Sequence, residues 1–145
     1  MITHSSIETF CFGKEFAKTS KPNNKYCLIG DLAAGKTVFT KGFVSYFSDD
    51  IIVVSPTFTV LKIYDVNKNN IKKIYHFDLY RLKTIEELED IGFFEYINDE
   101  NSISIIEWGD NFIDFLPKNT KILKFKKLND NEREIDEYFS NWNIK

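Results

Sequence analysis

The segment "GDLAAGKT" at residues 30–37 holds the residue types best suited to chemistry in this 145-residue chain. It matches the phosphate-binding pattern G-x-x-x-x-G-K-[ST] through Gly30, Gly35, Lys36 and Thr37. Glycines let a loop turn its backbone N–H groups toward phosphates, and the following helix adds the positive end of its dipole. The lysine supplies a positive charge, and the threonine hydroxyl can bind Mg²⁺. The pattern predicts a loop that binds ATP and Mg²⁺; the alternative is a tight turn with a solvated lysine.

The pattern is informative only between a strand and a helix. Tyr26–Ile29 is a short apolar run typical of a strand that is buried on both faces. After the loop, apolar residues recur at helical spacing from Val38 to Phe47. Both flanks therefore favour a phosphate loop. Its predicted nucleotide-binding residues are Gly30, Asp31, Leu32, Ala33, Ala34, Gly35, Lys36, Thr37 and Val38.

Two carboxylates follow predicted strands and are candidates for the acids that ATP hydrolysis requires. Glu107 ends the β-favouring run "SISIIE", where P-loop proteins place a metal-binding acid. Asp78 follows an extended segment within "HFDLYR". Both acids could converge on the metal, and each could instead be an ordinary acid beside a strand. His76 is interpreted as a hydrogen-bonded structural histidine rather than a catalyst.

The segment "SPTFT" at residues 55–59 follows the predicted phosphate-loop helix and carries three hydroxyls. Nucleotide-sensing switch segments of P-loop proteins occupy this position. Threonines at a strand edge would have the same pattern, so both interpretations stay open.

Composition limits how the protein could recognise nucleic acid. The formal net charge is −3 and the sequence pI is about 5.4, which argues against binding chiefly through a basic surface of its own. The lysines at 124, 126 and 127 are interpreted as a solvated strand edge. Cys11 and Cys27 both have apolar neighbours, which predicts two buried, reduced thiols. With no signal segment and no membrane-length apolar run, a cytoplasmic location is expected.

The remaining pattern predicts one P-loop ATPase domain over residues 1–145. An S-x-x-E capping pattern predicts a helix from Ser6 to Lys18, with Ile7, Phe10, Cys11 and Ala17 facing the core. Extended structure is expected from residue 51, a hairpin around "NKNN", and a capped helix from Thr84 to about Ile91. Strands at "SISIIEW", "KILKFKKL" and "REIDEYF" complete an α/β, P-loop NTPase-like three-layer fold with a mixed, mainly parallel central sheet.

Five segments in one order, "GDLAAGKTVFTKGF", "VSPTFTV", "HFDLYRL", "EELEDIGFFEY" and "ISIIEWGD", resemble the TsaE (YjeE) family. The resemblance extends to about Pro117. It implies a P-loop ATPase of bacterial tRNA threonylcarbamoyladenosine (t6A) synthesis that works with the TsaB–TsaD pair. The tRNA would then be reached through that complex, and no membrane would be involved.

The resemblance also implies roles for individual residues. Lys36 and Thr37 would hold phosphate and Mg²⁺, Glu107 would help to bind the metal, and Asp78 would be the acid needed for hydrolysis. Trp108 would lie near the nucleotide. The chain departs from the family at position 33, where Ala33 replaces the usual glycine.

Two other functions compete with the ATPase. A small-molecule P-loop kinase would usually bring arginines over the transferred phosphate, and Arg81 and Arg133 are the only arginines. This scarcity of arginines disfavours a kinase. Because Arg133 is expected far from every motif, we expect slow hydrolysis that depends on a partner. The second is a nucleotide-dependent adaptor without turnover. Only the presence of Asp78 and Glu107, the candidate acids for hydrolysis, argues against it.

Overall fold

A seven-stranded mixed sheet forms the centre of the protein, in the order β1-β7-β6-β2-β5-β4-β3. The computed structural model describes residues 1–139, so the last six positions of the predicted 1–145 domain lie outside the described residues. The strands are β1 Ile2–Thr3, β2 Lys25–Ile29, β3 Leu61–Lys68, β4 Ile71–Asp78, β5 Ser102–Glu107, β6 Lys121–Lys127 and β7 Arg133–Phe139.

The central strands β6, β2, β5 and β4 run parallel, and antiparallel pairs flank them. In the register, Glu107 pairs with Leu28 on one side and with Asp78 on the other. Because parallel strands end at the same edge, the ends of β2, β5 and β4 meet there. This edge carries the phosphate loop and both predicted acids, which is where open α/β sheets bind ligands.

Helices cover both faces of the sheet, which confirms the predicted three layers. On one face, α1 and α2 pack against β-strand side chains such as Leu28 and Ile105. On the other face, α3, α4 and a 3₁₀ helix cover Cys27, Ile106 and Ile122. The helices are α1 Ser6–Lys18, α2 Lys36–Phe47, α3 Ile85–Asp90, α4 Phe93–Ile97 and the 3₁₀ helix Asp110–Phe115.

The bounds of α1 agree with the prediction, and of its predicted inward face Ala17 is buried and Phe10 half-buried, whereas the prediction for Ile7 and Cys11 is wrong. Ile7 is 75% exposed and Cys11 is exposed, while Gly13 and Phe16 are buried. The inward face instead comprises Thr9, Gly13, Phe16 and Ala17.

Two glycines explain this rotation of α1. A Cβ at Gly13 would lie 2.2 Å from the Phe39 carbonyl oxygen, and one at Gly42 would lie 1.9 Å from the Phe10 carbonyl oxygen. The backbones of α1 and α2 therefore touch where neither helix has a side chain. This crossing turns Cys11 outward.

Cys27 is a buried thiol, as predicted, and its burial raises its pKa to about 12. The exposed Cys11 contradicts the prediction of two buried thiols.

Several connecting segments agree with the sequence patterns. The β3–β4 hairpin turns at Asn69 and Asn70, both of which have positive φ. Thr84 and Glu87 form a capping box at the start of α3. Within residues 1–139, no helix combines the length and apolarity needed to cross a membrane.

Two other expectations need correction. The extended structure expected from residue 51 forms no strand before Leu61, and from Pro56 the chain turns, with the Pro56 carbonyl accepting from the N–H groups of Thr59 and Val60. The lysines 124, 126 and 127 are exposed but do not lie on an edge strand, since β6 lies between β2 and β7.

Candidate functional site

The loop between β2 and α2 has the backbone geometry of an anion-binding loop. Gly30 has φ 153° and Gly35 has φ 102°. A Cβ at Gly30 would lie 2.6 Å from the Phe125 carbonyl oxygen, so this position requires glycine. No side chain caps the start of α2 at Gly35. The N–H groups of the first turn are therefore available to a phosphate.

Lys36, the first residue of α2, is a buried cation beside this loop and is only 5% exposed. Its ammonium donates to the Gly30 carbonyl and lies 3.8 Å from the centre of the Trp108 ring. Burial lowers the pKa of Lys36, and nearby carboxylates, Glu107 foremost, oppose that shift. The surrounding negative charge therefore helps to keep the cation in a buried position.

Asp78 is buried at the end of β4, and both of its carboxylate oxygens accept hydrogen bonds. Thr57 Oγ1 donates to Oδ2 at 2.8 Å, and the Tyr80 N–H donates to Oδ1 at 2.9 Å. Thr57 also bonds the Ser55 hydroxyl at 2.7 Å. The "SPTFT" segment is thus tied directly to the predicted hydrolytic acid.

Glu107 ends β5 and belongs to a buried hydrogen-bonded chain. His76 Nε2 lies 2.6 Å from Glu107 Oε2, and the Tyr64 hydroxyl lies 3.1 Å from His76 Nδ1. With Nε2 protonated, the imidazole donates to the carboxylate and accepts from the tyrosine. His76 is completely buried, so it orients Glu107, as expected of a structural histidine.

These groups converge on one cavity of about 310 Å³. This volume is in the range of small-molecule sites. Of the predicted site residues, the cavity is lined by residues 32–38, Asp78, Glu107 and Trp108. Gly30 and Asp31 instead line a neighbouring cavity of about 560 Å³ beside Lys124.

The oxygen ligands that the cavity offers suit Mg²⁺ only when phosphate oxygens supply further ligands. Among residues 1–139, no cluster of three or more His, Cys, Asp or Glu side chains could hold a metal ion. Thr37 and Glu107 both line the cavity and offer one hydroxyl and one carboxylate. Mg²⁺ commonly uses one or two protein oxygens and takes its other ligands from phosphates and water. The residues present therefore fit a Mg²⁺–nucleotide better than a metal ion alone.

Three strained backbone positions lie in or beside this cavity. Ala33, Val60 and Trp108 have φ of 63°, 66° and 58°, although none is glycine. Val60 also accepts the Asp78 N–H through its carbonyl at 2.8 Å. Such conformations cost about 1–3 kcal/mol each and are often retained at functional sites.

The sequence interpretation missed one charged residue of the cavity. Arg133 was expected far from every motif, which is wrong: its Nη2 donates to the Ala33 carbonyl at 3.0 Å, and its side chain lines the cavity. The predicted strands around residues 121–127 and 133–139 could have located Arg133. As an antiparallel pair they place Arg133 opposite Lys127, at the end of β6 that lies beside the phosphate loop.

Comparison with known proteins identifies the family. The family described as "Threonylcarbamoyl adenosine biosynthesis protein TsaE" matches residues 3–135, which is most of the chain. The chain belongs to the TsaE family. The resemblance inferred from the motifs is therefore confirmed, and the family is one of tRNA threonylcarbamoyladenosine biosynthesis.

Individual TsaE proteins are similar over most of their length. The tRNA threonylcarbamoyladenosine biosynthesis protein TsaE of Rickettsia bellii is 39% identical over 133 residues, covering 91% of this chain and 89% of its own. The Bacillus subtilis protein of the same name is 38% identical over 128 residues, covering 88% and 77%. The crystal structure of Bacillus subtilis YdiB matches with a TM-score of 0.75 and 33% identity, covering 93% and 80%.

Proposed function

We propose that this TsaE-family protein binds Mg²⁺–ATP in the cavity and hydrolyses it during t6A modification of tRNA, in complex with a TsaB–TsaD pair. The observation that carries the proposal is the convergence of the phosphate loop, Lys36, Asp78 and Glu107 on one cavity. Family membership supports the tRNA pathway. The net charge of −3 supports a complex in which the partners hold most of the tRNA in the cytoplasm.

The position of each side chain suggests its role in hydrolysis. The phosphates bind at the start of α2, where Lys36 exchanges the Gly30 carbonyl for a phosphate oxygen. Thr37 and Glu107 hold the metal, which neutralises charge on the phosphates when bound. Asp78 orients the attacking water and accepts its proton, while the water oxygen bonds to the γ-phosphorus and the bond to the ADP oxygen breaks.

The contacts of Asp78 support slow turnover by the isolated protein. Its two oxygens already accept from Thr57 and from the Tyr80 N–H, which leaves a water about half of the four acceptor sites of the carboxylate. Beside Thr57, the Phe58 ring is 82% exposed and lies 4.6 Å from the Arg81 guanidinium carbon. A partner that docks on Phe58 could move the segment and release Asp78.

The same contacts favour one alternative, a nucleotide-dependent adaptor that binds ATP without significant turnover. In that case Asp78 would serve only to hold residues 55–59. The two functions differ in what Asp78→Asn does. An adaptor would lose its partner response, whereas an ATPase would retain ATP and turn it over slowly.

The test is ATP turnover by the protein alone, with the TsaB–TsaD pair, and with the pair plus tRNA. We expect slow turnover alone and faster turnover in the complex. Lys36→Ala should abolish turnover, while Lys118→Ala, which changes an exposed lysine that does not line the cavity, should not. Vigorous turnover that the pair does not change would disprove partner dependence. Binding without turnover in every mixture would favour the adaptor.

A further inference from the structure

Arg133 joins the turn between β6 and β7 to the phosphate loop through three carbonyl groups. Its Nη1 donates to the carbonyls of Asn129 at 2.7 Å and Glu132 at 3.0 Å. Its Nη2 donates to the Ala33 carbonyl at 3.0 Å. A planar guanidinium with fixed donors can span all three acceptors, which a lysine ammonium on its flexible stem does not.

The turn that carries Arg133 is itself well ordered by hydrogen bonds. Asn129 Oδ1 accepts from the N–H groups of Asn131 and Glu132, both at 2.9 Å. The Leu128 N–H donates to the Glu132 carbonyl at 3.0 Å. Arg133 therefore attaches the phosphate loop to a fixed support at the end of the sheet.

The residue that Arg133 holds is one of the three strained residues described above. Ala33 has φ 63°, a conformation that glycine adopts freely and alanine does not. The stem of Arg133 also lies beside Gly35, the next glycine of the loop, where an added Cβ would be 3.5 Å from Arg133 Cγ. The guanidinium thus contacts the loop where the sequence least favours the conformation that the loop adopts.

We propose that Arg133 is a positioning residue that holds the Ala33 carbonyl and so keeps the phosphate loop in its nucleotide-binding conformation. The effect on affinity rests on the proposed ATP binding. The effect on the conformation of the loop does not rest on ATP binding, because the three hydrogen bonds of Arg133 form in the nucleotide-free protein.

The test measures Mg²⁺–ADP affinity by calorimetry for the parent, Arg133→Gln, Arg133→Lys, Ala33→Gly and the double variant Arg133→Gln with Ala33→Gly. We expect Arg133→Gln to weaken binding about tenfold, which corresponds to about 1.4 kcal/mol. Arg133→Lys should weaken it similarly, although it keeps the charge. Ala33→Gly should restore most of the loss in the double variant, because glycine needs no brace at this φ. The control Lys118→Gln removes an exposed positive charge outside the cavity lining and should bind like the parent.

Two results would overturn the proposal. One is parental affinity in Arg133→Gln. The other is recovery by Arg133→Lys but not by Ala33→Gly, which would mean that the arginine acts on the nucleotide by its charge.

Hydrogen exchange of residues 30–38 in the nucleotide-free protein separates this proposal from the proposed function. Arg133→Gln should speed exchange there while the buried strand β5 stays protected, which also shows that the variant is folded. Unchanged hydrogen exchange of these residues in Arg133→Gln would disprove the positioning role of Arg133, whether or not nucleotide binds. A parent that fails to bind Mg²⁺–ADP would overturn the ATPase instead.

Discussion

Thr57→Val should make the isolated protein a faster ATPase. Thr57 Oγ1 donates to Asp78 Oδ2 at 2.8 Å, and Thr57 is half-buried. Valine keeps the branched shape but removes the donor. This frees one further acceptor site on Asp78 Oδ2 for the attacking water. Part of the rearrangement that we propose for the partner complex is then already present in the isolated protein.

The expected size follows from the energy of that hydrogen bond. Hydrogen bonds to charged groups contribute about 1.5–3 kcal/mol, and partial exposure of Thr57 argues for the lower end. About 1.5 kcal/mol corresponds to roughly a tenfold change in an equilibrium. Basal turnover should therefore rise by up to about tenfold, and stimulation by the TsaB–TsaD pair should fall by a similar factor.

The assay is initial ATP turnover at saturating Mg²⁺–ATP, with and without the pair. Thr57→Ser keeps the hydroxyl and is the matched control, which should behave like the parent. In an Asp78→Asn background the valine should have little effect, because the acid that it releases is gone. Slower turnover in Thr57→Val than in Thr57→Ser would refute the reasoning, since the hydroxyl would then assist catalysis rather than restrain Asp78.

Three further outcomes are expected. Mg²⁺–ATP at about 100 times its Kd should stabilise the fold by about 2.7 kcal/mol, or roughly 5–10 °C in Tm by calorimetry, and Lys36→Ala should lose this shift. Glu107→Gln should weaken the Mg²⁺ dependence of binding while Asp78→Asn slows turnover, and equal small effects on both steps would show the roles to be misassigned. A thiol reagent should label the exposed Cys11 rapidly in the native protein and reach Cys27 only on unfolding, because burial raises the Cys27 pKa to about 12; two fast thiols would contradict the packing.

The sequence alone determined the local features of the site. The glycines, Lys36 and Thr37 occur at the spacing of a phosphate loop between a strand and a helix, and capping residues set the start of α1. Asp78 and Glu107 could be predicted because each ends a β-favouring run. These properties depend on neighbours within a few residues, so the local sequence pattern is sufficient to predict them.

Tertiary structure decided what lies between distant segments. Strand order placed Asp78 beside Glu107, whereas the sequence left open whether either acid reached the site. The contact between α1 and α2 at Gly13 turned Cys11 outward against its hydrophobic pattern. Arg133 reached Ala33 across 100 positions of sequence. Such contacts depend on strand pairing and on the distance between helix backbones, and neither is encoded in the spacing of residues along one segment.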